Sequence, residues 1–371
     1  MAKKKVIASV TNDLYTDNRV RRVCEFLVSN NFDVTLVGRR LATSSILPAT
    51  AYKTKRFRLL FTKGALFYAN YNLRLFFYLL FHKADILVAN DLDTLYANHW
   101  AKKFKRNCRL IYDSHEYFIG VPELENKPRV RKIWRWIEKR TLPKVDKMYT
   151  VNQSIADLYK NEYGIDSIVV RNISDFQRPF QLKSKQELGL PQDKKLVILQ
   201  GAGINIDRGA EELIEAMQFV EEAILLIIGS GDVIHVLKET VRQNKWSNKV
   251  FFLDKMHYLE LMNYTVLCDL GVSLDKGTNI NYRSSLPNKI FDYIHANIPV
   301  LVSDLPELER IVSRYQIGVV CKSHAPQEIA KCINAILSNV ALQEKFRANT
   351  KAASQELSWK NECKILEKIY L

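Results

Sequence analysis

The sequence repeats one pattern from end to end, a short continuous run of apolar residues followed by a longer helical pattern. The runs lie at 6–10, 34–37, 86–89, 110–112 and 148–151, and again at 196–200, 224–228, 250–252, 270–274 and 300–302. A strand that is apolar at every position is typical of a parallel sheet covered on both faces, whereas a half-exposed strand alternates. The pattern therefore predicts βαβ units and an α/β fold.

The series of runs is interrupted between Asn172 and Leu196 by a polar stretch that contains two prolines. We interpret this stretch as the connection between two Rossmann-like domains, for which 371 residues are ample. The predicted organisation is a domain at 1–175, a second at 176–355 and a terminal helix at 356–371. Ligands of such sheets bind outside the carboxyl ends of the strands, so the residues after each strand are the candidates for function.

Positive charge is concentrated in the first half of the sequence. The formal net charge is +15, and residues 1–175 hold +14 of it, with 31 Lys and Arg against 17 Asp and Glu. Basic runs lie at 53–58, 102–106 and 127–140, and Trp134 and Trp136 interrupt the last of them. The pattern fits an anionic membrane surface, RNA or a solvated basic face. Because no nucleic-acid-binding signature accompanies it, we favour the membrane over nucleic acid.

No segment has the length and polarity of a membrane span. The most apolar stretch, 59–81, is interrupted by Lys63, Asn70, Asn72 and Arg74, and the basic N-terminus lacks the apolar core of a signal peptide. The six cysteines are scattered and show no metal-binding spacing. We expect a cytoplasmic protein with reduced thiols and no metal, and the basic first half extends this expectation to peripheral binding at the inner face of the plasma membrane.

Two small-residue turns follow predicted strands of the second half. Gly201 and Gly203 come directly after one strand and lead through Arg208 into an amphipathic helix, while Gly229 opens the turn after the next strand. Glycines let backbone N–H groups approach a phosphate at a helix N-terminus, and an arginine adds charge. An ordinary strand–helix turn explains the same residues equally well, and the absence of a GxGxxG pattern disfavours classical dinucleotide binding.

The densest motif of the second half reads YRSSLPNKIFDYIHANIPV. The motif predicts the start of a helix, with Ser284 and Ser285 as caps and Pro287 in the first turn. Asn288 and Lys289 follow at the positive end of this helix, where free backbone N–H groups and an ammonium can bind a pyrophosphate. Asp292 lies one turn further on the same face, where a carboxylate can accept hydrogen bonds from both hydroxyls of a ribose. The alternative is a capped helix with a surface salt bridge.

Polar residues also follow the strands of the first half. Asn12, Asp17 and Arg19 lie after the first strand, where they are candidates for substrate contact, although Asp17 equally suits a helix cap. Asp91 and Asp93 form a DxD pair, for which we favour capping of the strand end over metal binding. Asn172 is a candidate for ligand contact or a turn.

The segment YDSHEYF places three titratable side chains in one turn after a predicted strand, namely those of Asp113, His115 and Glu116. A histidine near apolar residues is often structural, but this one stands at the ligand-binding end of its strand. His115 is therefore a candidate functional residue.

Taken together, the segments SLPNKIFDYIHANIPVLVSD, GSGD, RGAEELIEAM and LSWKNECKILEKIY resemble retaining glycosyltransferases of the GT-B fold, family 4 (group 1). The resemblance implies two Rossmann-like domains facing a cleft, with the acceptor bound by the first and a nucleotide-sugar by the second. It also implies that the helix at Trp359–Tyr370 crosses back to the first domain.

The resemblance assigns roles to individual residues. The family's two glutamates fall on Ser284 and Asp292, so one carboxylate is absent and the other shortened, and its two phosphate-binding cations fall on Gly203 and Arg208. Arg208 and Lys289 would then be the remaining cationic pair, and His115 would contact the donor sugar near its reacting centre. Donor contacts are also implied for Gly201, Gly229, Ser285 and Asn288, and acceptor contacts for Asn12, Asp17, Arg19 and Glu116.

The implied activity is transfer of a hexose from a UDP- or GDP-sugar to a hydroxyl of a glycan or lipid-linked acceptor. It proceeds with retention and without metal, in polysaccharide or glycoconjugate synthesis, and the nucleotide-sugar is a co-substrate rather than a cofactor. Two alternatives remain at this point. One is a nucleotide-sugar epimerase of the same fold, and the other is a non-catalytic scaffold that binds glycan or nucleic acid.

Overall fold

The computed structural model describes residues 3–15, 17–174, 176 and 182–371. The chain forms two compact units, of which the first comprises the described residues up to Asn172 together with Leu366–Leu371, and the second comprises those of Ile173–Ile365. The sequence placed the domain boundary at 175, whereas the structure divides the chain after Asn172. Of the predicted terminal segment 356–371, the residues up to Ile365 belong to the second unit and those from Leu366 belong to the first.

The described part of the first unit contains a parallel sheet of seven strands, and the basic run 53–58 forms its edge strand β3. The strands are β1 (Lys5–Asp13), β2 (Asp33–Arg40), β3 (Lys53–Arg58), β4 (Ile86–Asn90), β5 (Arg109–Ser114), β6 (Lys147–Thr150) and β7 (Ile168–Val169). Their order in the sheet is β3-β2-β1-β4-β5-β6-β7.

Helices connect these strands. They are α1 (Asn18–Ser29), α2 (Gly64–Phe81), α3 (Leu92–Lys103), the short α4 (Pro122–Glu125), α5 (Pro128–Thr141) and α6 (Gln153–Tyr163), with 3₁₀ turns at Phe118–Gly120 and Leu142–Lys144. Pro122 and Pro128 each stand at the first position of their helix, where the missing N–H removes no internal hydrogen bond.

The second unit repeats this arrangement with six described parallel strands in the order β10-β9-β8-β11-β12-β13. They are β8 (Lys195–Gly201), β9 (Ala223–Gly229), β10 (Val250–Asp254), β11 (Leu270–Ser273), β12 (Val300–Ser303) and β13 (Gly318–Cys321). The helices are α7 (Ala210–Ala216), α8 (Ile234–Gln243), α9 (Tyr258–Thr265), α10 (Ile280–Arg283), α11 (Lys289–Ala296), α12 (Pro306–Tyr315), α13 (Pro326–Leu337), α14 (Val340–Glu356) and α15 (Trp359–Tyr370), with a 3₁₀ turn at Met217–Phe219.

The continuous apolar runs are explained by a separate core on each face of a sheet. In β8, Val197 and Leu199 pack into one cluster, whereas Leu196 and Ile198 pack into another on the opposite face. Successive strand residues point to opposite faces, so a strand between two helix layers is apolar at every position. The prediction of two Rossmann-like parallel-sheet domains is therefore confirmed.

Each sheet has one point at which the strand order reverses. In the first unit it lies between β1 and β4, and in the second between β8 and β11. In open parallel sheets, ligands bind outside the carboxyl ends of the strands at such a reversal. The described helices include none that is long and apolar enough to span a membrane.

Candidate functional site

At the strand reversal of the second unit, two basic side chains converge on a buried carboxylate. Asp275 follows β11 and is fully buried. Its Oδ1 lies 2.9 Å from the Arg208 guanidinium, its Oδ2 accepts a 2.9 Å hydrogen bond from Ser273, and the Lys289 ammonium lies 3.8 Å from Oδ2. The structure therefore brings together Arg208 and Lys289, which are distant in sequence and which sequence analysis had paired.

The electrostatics of this group leave an excess of positive charge. Burial favours the neutral form of Asp275, but Lys289 and Arg208 outweigh it and hold the pKa of the carboxyl below its usual value. Burial lowers the pKa of Lys289, with the Asp275 carboxylate acting in the opposite direction. Two cations share one carboxylate, so an anionic ligand would compensate the remaining charge and accept charge-assisted hydrogen bonds.

Sequence analysis missed Asp275 and Tyr282. The Arg208 guanidinium lies 4.0 Å from the centre of the Tyr282 ring, a cation–π contact that fixes the arginine from its other side. The available signal for Asp275 was its position directly after a buried strand. Tyr282 carried no such signal, because its partner lies on a different loop.

The predicted glycine turns pack tightly against one another at the ends of β8 and β9. Gly229 has φ +143°, and a Cβ there would overlap the carbonyl oxygen of Gly201, which itself has φ +158°. A Cβ at Gly203 would meet no atom within 4 Å. Gly229 is thus required by packing, whereas Gly203 leaves open space where a ligand has room to approach.

The helix start at residues 284–289 differs from the prediction. Ser284 and Ser285 do not cap α11: Ser284 is the C-cap of α10, and the Ser285 hydroxyl donates to the Tyr282 carbonyl at 2.9 Å. Pro287 lies before the helix rather than in its first turn, since α11 begins at Lys289 with exposed Asn288 as its N-cap. An additional short helix, α10, uses the residues that sequence analysis assigned to capping.

Asp292 lies in the interior of the second unit. It is 7% exposed, and its oxygens accept hydrogen bonds from the Gln200 amide at 3.0 Å and the Tyr258 hydroxyl at 2.8 Å. These contacts connect α11 to β8 and α9. A role for Asp292 in holding a ribose stays a prediction, and a ligand would have to compete with these partners.

In the first unit, His115 lies between two carboxylates at the ends of β4 and β5. Its Nδ1 is 3.2 Å from Asp91 Oδ2, its Nε2 is 3.3 Å from Asp113 Oδ2, and its backbone N–H donates to Asp91 Oδ1 at 2.9 Å. Burial lowers the pKa of His115, but the two carboxylates outweigh it and raise the pKa to about 10. At neutral pH the side chain is an imidazolium.

Arg19 is a correction to the prediction. It lies on α1, not in the loop after β1, and is only 4% exposed. Its guanidinium forms a forked pair with Asp113, at 3.0 Å from Nε and 2.7 Å from a terminal nitrogen, and donates to the Val170 carbonyl. Burial raises the pKa of Asp113, but Arg19 and His115 outweigh it and lower the pKa to about 2. The Arg19 side chain therefore forms a buried ion pair inside the unit and connects α1 to β5.

Asp93 completes this cluster. It is buried, accepts a hydrogen bond from Thr11, and its Oδ1 has no hydrogen-bond partner among the described residues. Burial and the nearby Asp91 raise its pKa to about 7. Asp91 stands at the N-cap position of α3, but its side chain makes no capping hydrogen bond there and instead accepts one from the His115 N–H. Across the described ranges, no group of His, Cys, Asp and Glu is arranged to hold a metal ion.

The remaining candidates of the first unit are spread along the same sheet edge. Asn12 is exposed within β1 rather than in the following loop, and the Asp17 side chain caps α1 by accepting from the Val20 N–H at 3.1 Å. Glu116 is exposed beside His115. Asn172 accepts a hydrogen bond from Arg22 of α1.

Two family models match the chain, one in each half. The model described as Glycosyltransferase Family 4 matches residues 17–178, and the model described as Glycosyl transferases group 1 matches residues 180–353. No match supports the epimerase or scaffold alternatives.

Curated relatives match only in part. Chitobiosyldiphosphodolichol beta-mannosyltransferase from Candida albicans is 25% identical over an alignment of 261 residues that covers 64% of this chain and 57% of that protein. A match at 32% identity over 94 residues covers 25% of this chain and 6% of sex-determining transformer protein 2 from Caenorhabditis remanei. This chain spans less than two thirds of the length of either relative.

Solved structures resemble the chain over nearly its whole length. Sucrose-phosphate synthase from Thermosynechococcus elongatus gives a TM-score of 0.80 at 15% identity, covering 99% of this chain and 98% of the other. HepE from Anabaena, solved in complex with UDP-glucose, gives a TM-score of 0.73 at 14% identity, and the match covers 98% of each chain. At such low identity the likeness shows a shared fold.

Proposed function

This chain is a GT-B glycosyltransferase, with one glycosyltransferase family domain in each half, and we propose that it transfers a hexose from a nucleotide-diphosphate sugar to a hydroxyl. The observation that carries the proposal is the convergence of Arg208 and Lys289 on buried Asp275 at the strand reversal of the second unit. Breaking the bond to a sugar places negative charge on the departing pyrophosphate. Preorganised cations aimed at that charge stabilise the transition state.

In the proposed site, Arg208 and Lys289 contact the pyrophosphate, and Asp275 holds both side chains in position. Gly201, Gly203 and Gly229 allow the backbone to approach the donor, and Ser285, Asn288 and Asp292 supply further polar contacts. The two side-chain cations provide the positive charge that a metal ion supplies in other transferases. We propose UDP or GDP as the nucleotide. HepE, which shares the fold, was solved with UDP-glucose, and this supports a nucleotide-diphosphate sugar as the donor.

We propose further that the reaction retains the anomeric configuration, with an oxygen of the donor's β-phosphate accepting the proton of the acceptor hydroxyl. Under this proposal no side chain acts as a strong base. His115 is protonated and held by two carboxylates, so its role is to orient a hydroxyl of the sugar. Asn12, Asp17 and Glu116 lie at the carboxyl edge of the first sheet and are the proposed acceptor contacts.

The proposed acceptor is a glycan or a lipid-linked saccharide, in the synthesis of a cell-surface polysaccharide or glycoconjugate at the inner face of the plasma membrane. The basic first half of the sequence supports this assignment, because residues 1–175 carry an excess charge of +14, whereas Arg208 and Lys289 lie in the second unit. A phosphate-bearing lipid acceptor has the complementary charge.

The test is to change Arg208→Ala and Lys289→Ala separately and to measure release of nucleotide from a panel of UDP- and GDP-sugars. Each change removes a cationic hydrogen-bonding side chain that we expect to stabilise the transition state, so kcat should fall by about 100-fold or more. The matched control is Lys276→Ala, because Lys276 neighbours Asp275 but pairs with Glu212 at 2.5 Å. Near-wild-type turnover in both variants would exclude this site for the donor pyrophosphate.

A further inference from the structure

Three helices of the first unit form one layer against its sheet. Phe76 of α2 lies 6.2 Å from Phe104 at the end of α3, measured between ring centres, and Tyr96 of α3 lies 6.3 Å from Trp136 of α5. These contacts make α2, α3 and α5 a continuous surface whose inner side belongs to the core of the unit.

The helix α2 is apolar on both sides. Phe67, Tyr71, Leu75 and Leu79 recur every fourth residue and are buried in the core. A second stripe at the spacing of one helical face is exposed, with Leu66 59%, Leu73 57%, Phe77 48% and Phe81 77% exposed. A surface helix normally carries polar residues on its outer side, so an outer apolar stripe calls for a partner.

The outer stripe continues across the neighbouring helices as an exposed aromatic surface. Phe77 contacts Phe76, which contacts Phe104, and Trp100 contacts Tyr96, which contacts Trp136. We call the exposed members of this surface, together with the α2 stripe, the aromatic face; its central residues are Leu73, Phe77, Phe81, Trp100, Phe104 and Trp136. All six are exposed.

Cations surround the aromatic face. On α5, Arg129, Lys132, Lys139 and Arg140 are exposed and form no ion pair with a carboxylate among the described residues. The acidic residue of α5, Glu138, is buried and accepts a hydrogen bond from Tyr163 at 2.5 Å. The Lys103 ammonium and the Arg140 guanidinium lie 3.7 Å and 5.3 Å from the ring centres of Trp100 and Trp136. The positive charge is therefore directed outward.

We propose that the aromatic face docks the protein on an anionic phospholipid membrane. Trp and Phe side chains favour the boundary between headgroups and acyl chains, and each nearby Lys or Arg adds attraction to anionic headgroups. The aliphatic stripe distinguishes this partner from RNA, since Leu66 and Leu73 cannot stack on bases as aromatic rings do. A second copy of the chain is disfavoured because pairing two such faces would bring their unpaired cations together.

Membrane docking follows from the residues of the aromatic face alone. That docking brings the chain to a lipid-linked acceptor rests on the proposed function. The cations proposed to bind the donor pyrophosphate, Arg208 and Lys289, belong to the second unit, whereas the aromatic face belongs to the first. Vesicle binding and transferase chemistry can therefore fail independently.

The experiment is flotation of the full chain with vesicles of phosphatidylcholine, alone or mixed in equal parts with phosphatidylglycerol. We expect binding to the mixed vesicles at low salt and little to phosphatidylcholine. The variant Phe77→Ser/Phe104→Ser/Trp136→Ser and the variant Arg129→Gln/Lys132→Gln/Lys139→Gln/Arg140→Gln should each bind at least about tenfold more weakly. Circular dichroism and thermal unfolding without vesicles verify that each variant is folded, whether or not the chain releases nucleotide.

Matched controls remove equal numbers of exposed apolar or cationic side chains from the second unit. They are Phe219→Ser/Val236→Ser/Phe251→Ser, which are exposed apolar residues, and Lys322→Gln/Lys345→Gln/Lys351→Gln/Lys360→Gln, which are exposed cations. Absence of flotation by the wild-type chain, or equal loss in the controls, would overturn the proposal. Binding to single-stranded RNA instead of vesicles, or a dimer that the aromatic variant abolishes, would likewise replace the membrane as the partner.

Discussion

At the residue scale, both candidate sites depend on charges that are buried together. Asp275 is compensated by Arg208 and Lys289, and Asp113 by Arg19 and His115. Removing one cation of such a group leaves the buried carboxylate with a single cationic partner, which we expect to lower the stability of the fold. Loss of activity in Arg208→Ala or Lys289→Ala must therefore be read beside the thermal stability of each variant.

The raised pKa of His115 predicts a pH-dependent contribution to stability. Its pKa is about 10 in the folded chain and near 6.5 in an unfolded one. The folded state holds the proton more tightly, so the stabilisation is complete below about pH 6.5 and is lost as the pH rises to about 10.

The measurement is denaturant unfolding of the wild type and His115→Gln at several pH values. We expect the difference in unfolding free energy to be largest below about pH 6.5 and to shrink toward pH 10. His235→Gln, at an exposed position on α8, is the control. A wild-type advantage that stayed constant across this range would contradict a protonated His115.

At the element scale, the alternation of strands and helices could be predicted from the sequence, because burial on both faces of a sheet requires apolar residues at every strand position. The helix starts were harder to predict. Residues 280–283 form α10, and Ser284 ends that helix instead of starting α11. A serine suits the end of one helix and the start of the next equally well by sequence, and the packed loop determines which one forms.

The turn after β9 gives a prediction about Gly229. Gly229→Ala would require a left-handed φ for alanine and would place its Cβ against the Gly201 carbonyl. We expect a loss of about 2 kcal/mol or more in the unfolding free energy of the second unit, measured by denaturant titration.

The matched variant is Gly203→Ala, because a Cβ there meets no neighbouring atom. It should leave stability nearly unchanged and, if the donor approaches this turn, raise the KM for the nucleotide-sugar. Equal stability losses in both variants would contradict the packing difference between the two glycines.

At the scale of the whole molecule, the chain returns to its first unit at the end. Leu366, Ile369 and Tyr370 are buried, and the carbonyls of Ile369 and Tyr370 accept hydrogen bonds from Arg109. The Tyr370 and Tyr149 hydroxyls lie 3.0 Å apart. The last residues of α15 are therefore part of the interior of the first unit.

Deleting residues 366–371 should consequently destabilise the first unit by about 4 kcal/mol or more, since three large apolar side chains lose their burial. Hydrogen exchange should show faster opening of β5 and β6, with β8 and β9 much less affected. Deletion of Leu371 alone, which is exposed, is the control. If β5 and β6 were equally protected from hydrogen exchange in the two truncated chains, residues 366–371 would not be part of the interior of the first unit.

The sequence by itself determined the α/β class, the organisation into two Rossmann-like domains, the basic first half and the candidates Arg208, Lys289 and His115. These follow from local pattern, because strand burial and the position after a strand are properties of contiguous residues. Only the tertiary structure decided which charges meet. Arg208 and Asp275 are 67 residues apart, and Arg19 and Asp113 are 94 apart. Their pairing depends on which strands and helices lie side by side, so residue order along the chain could not show it.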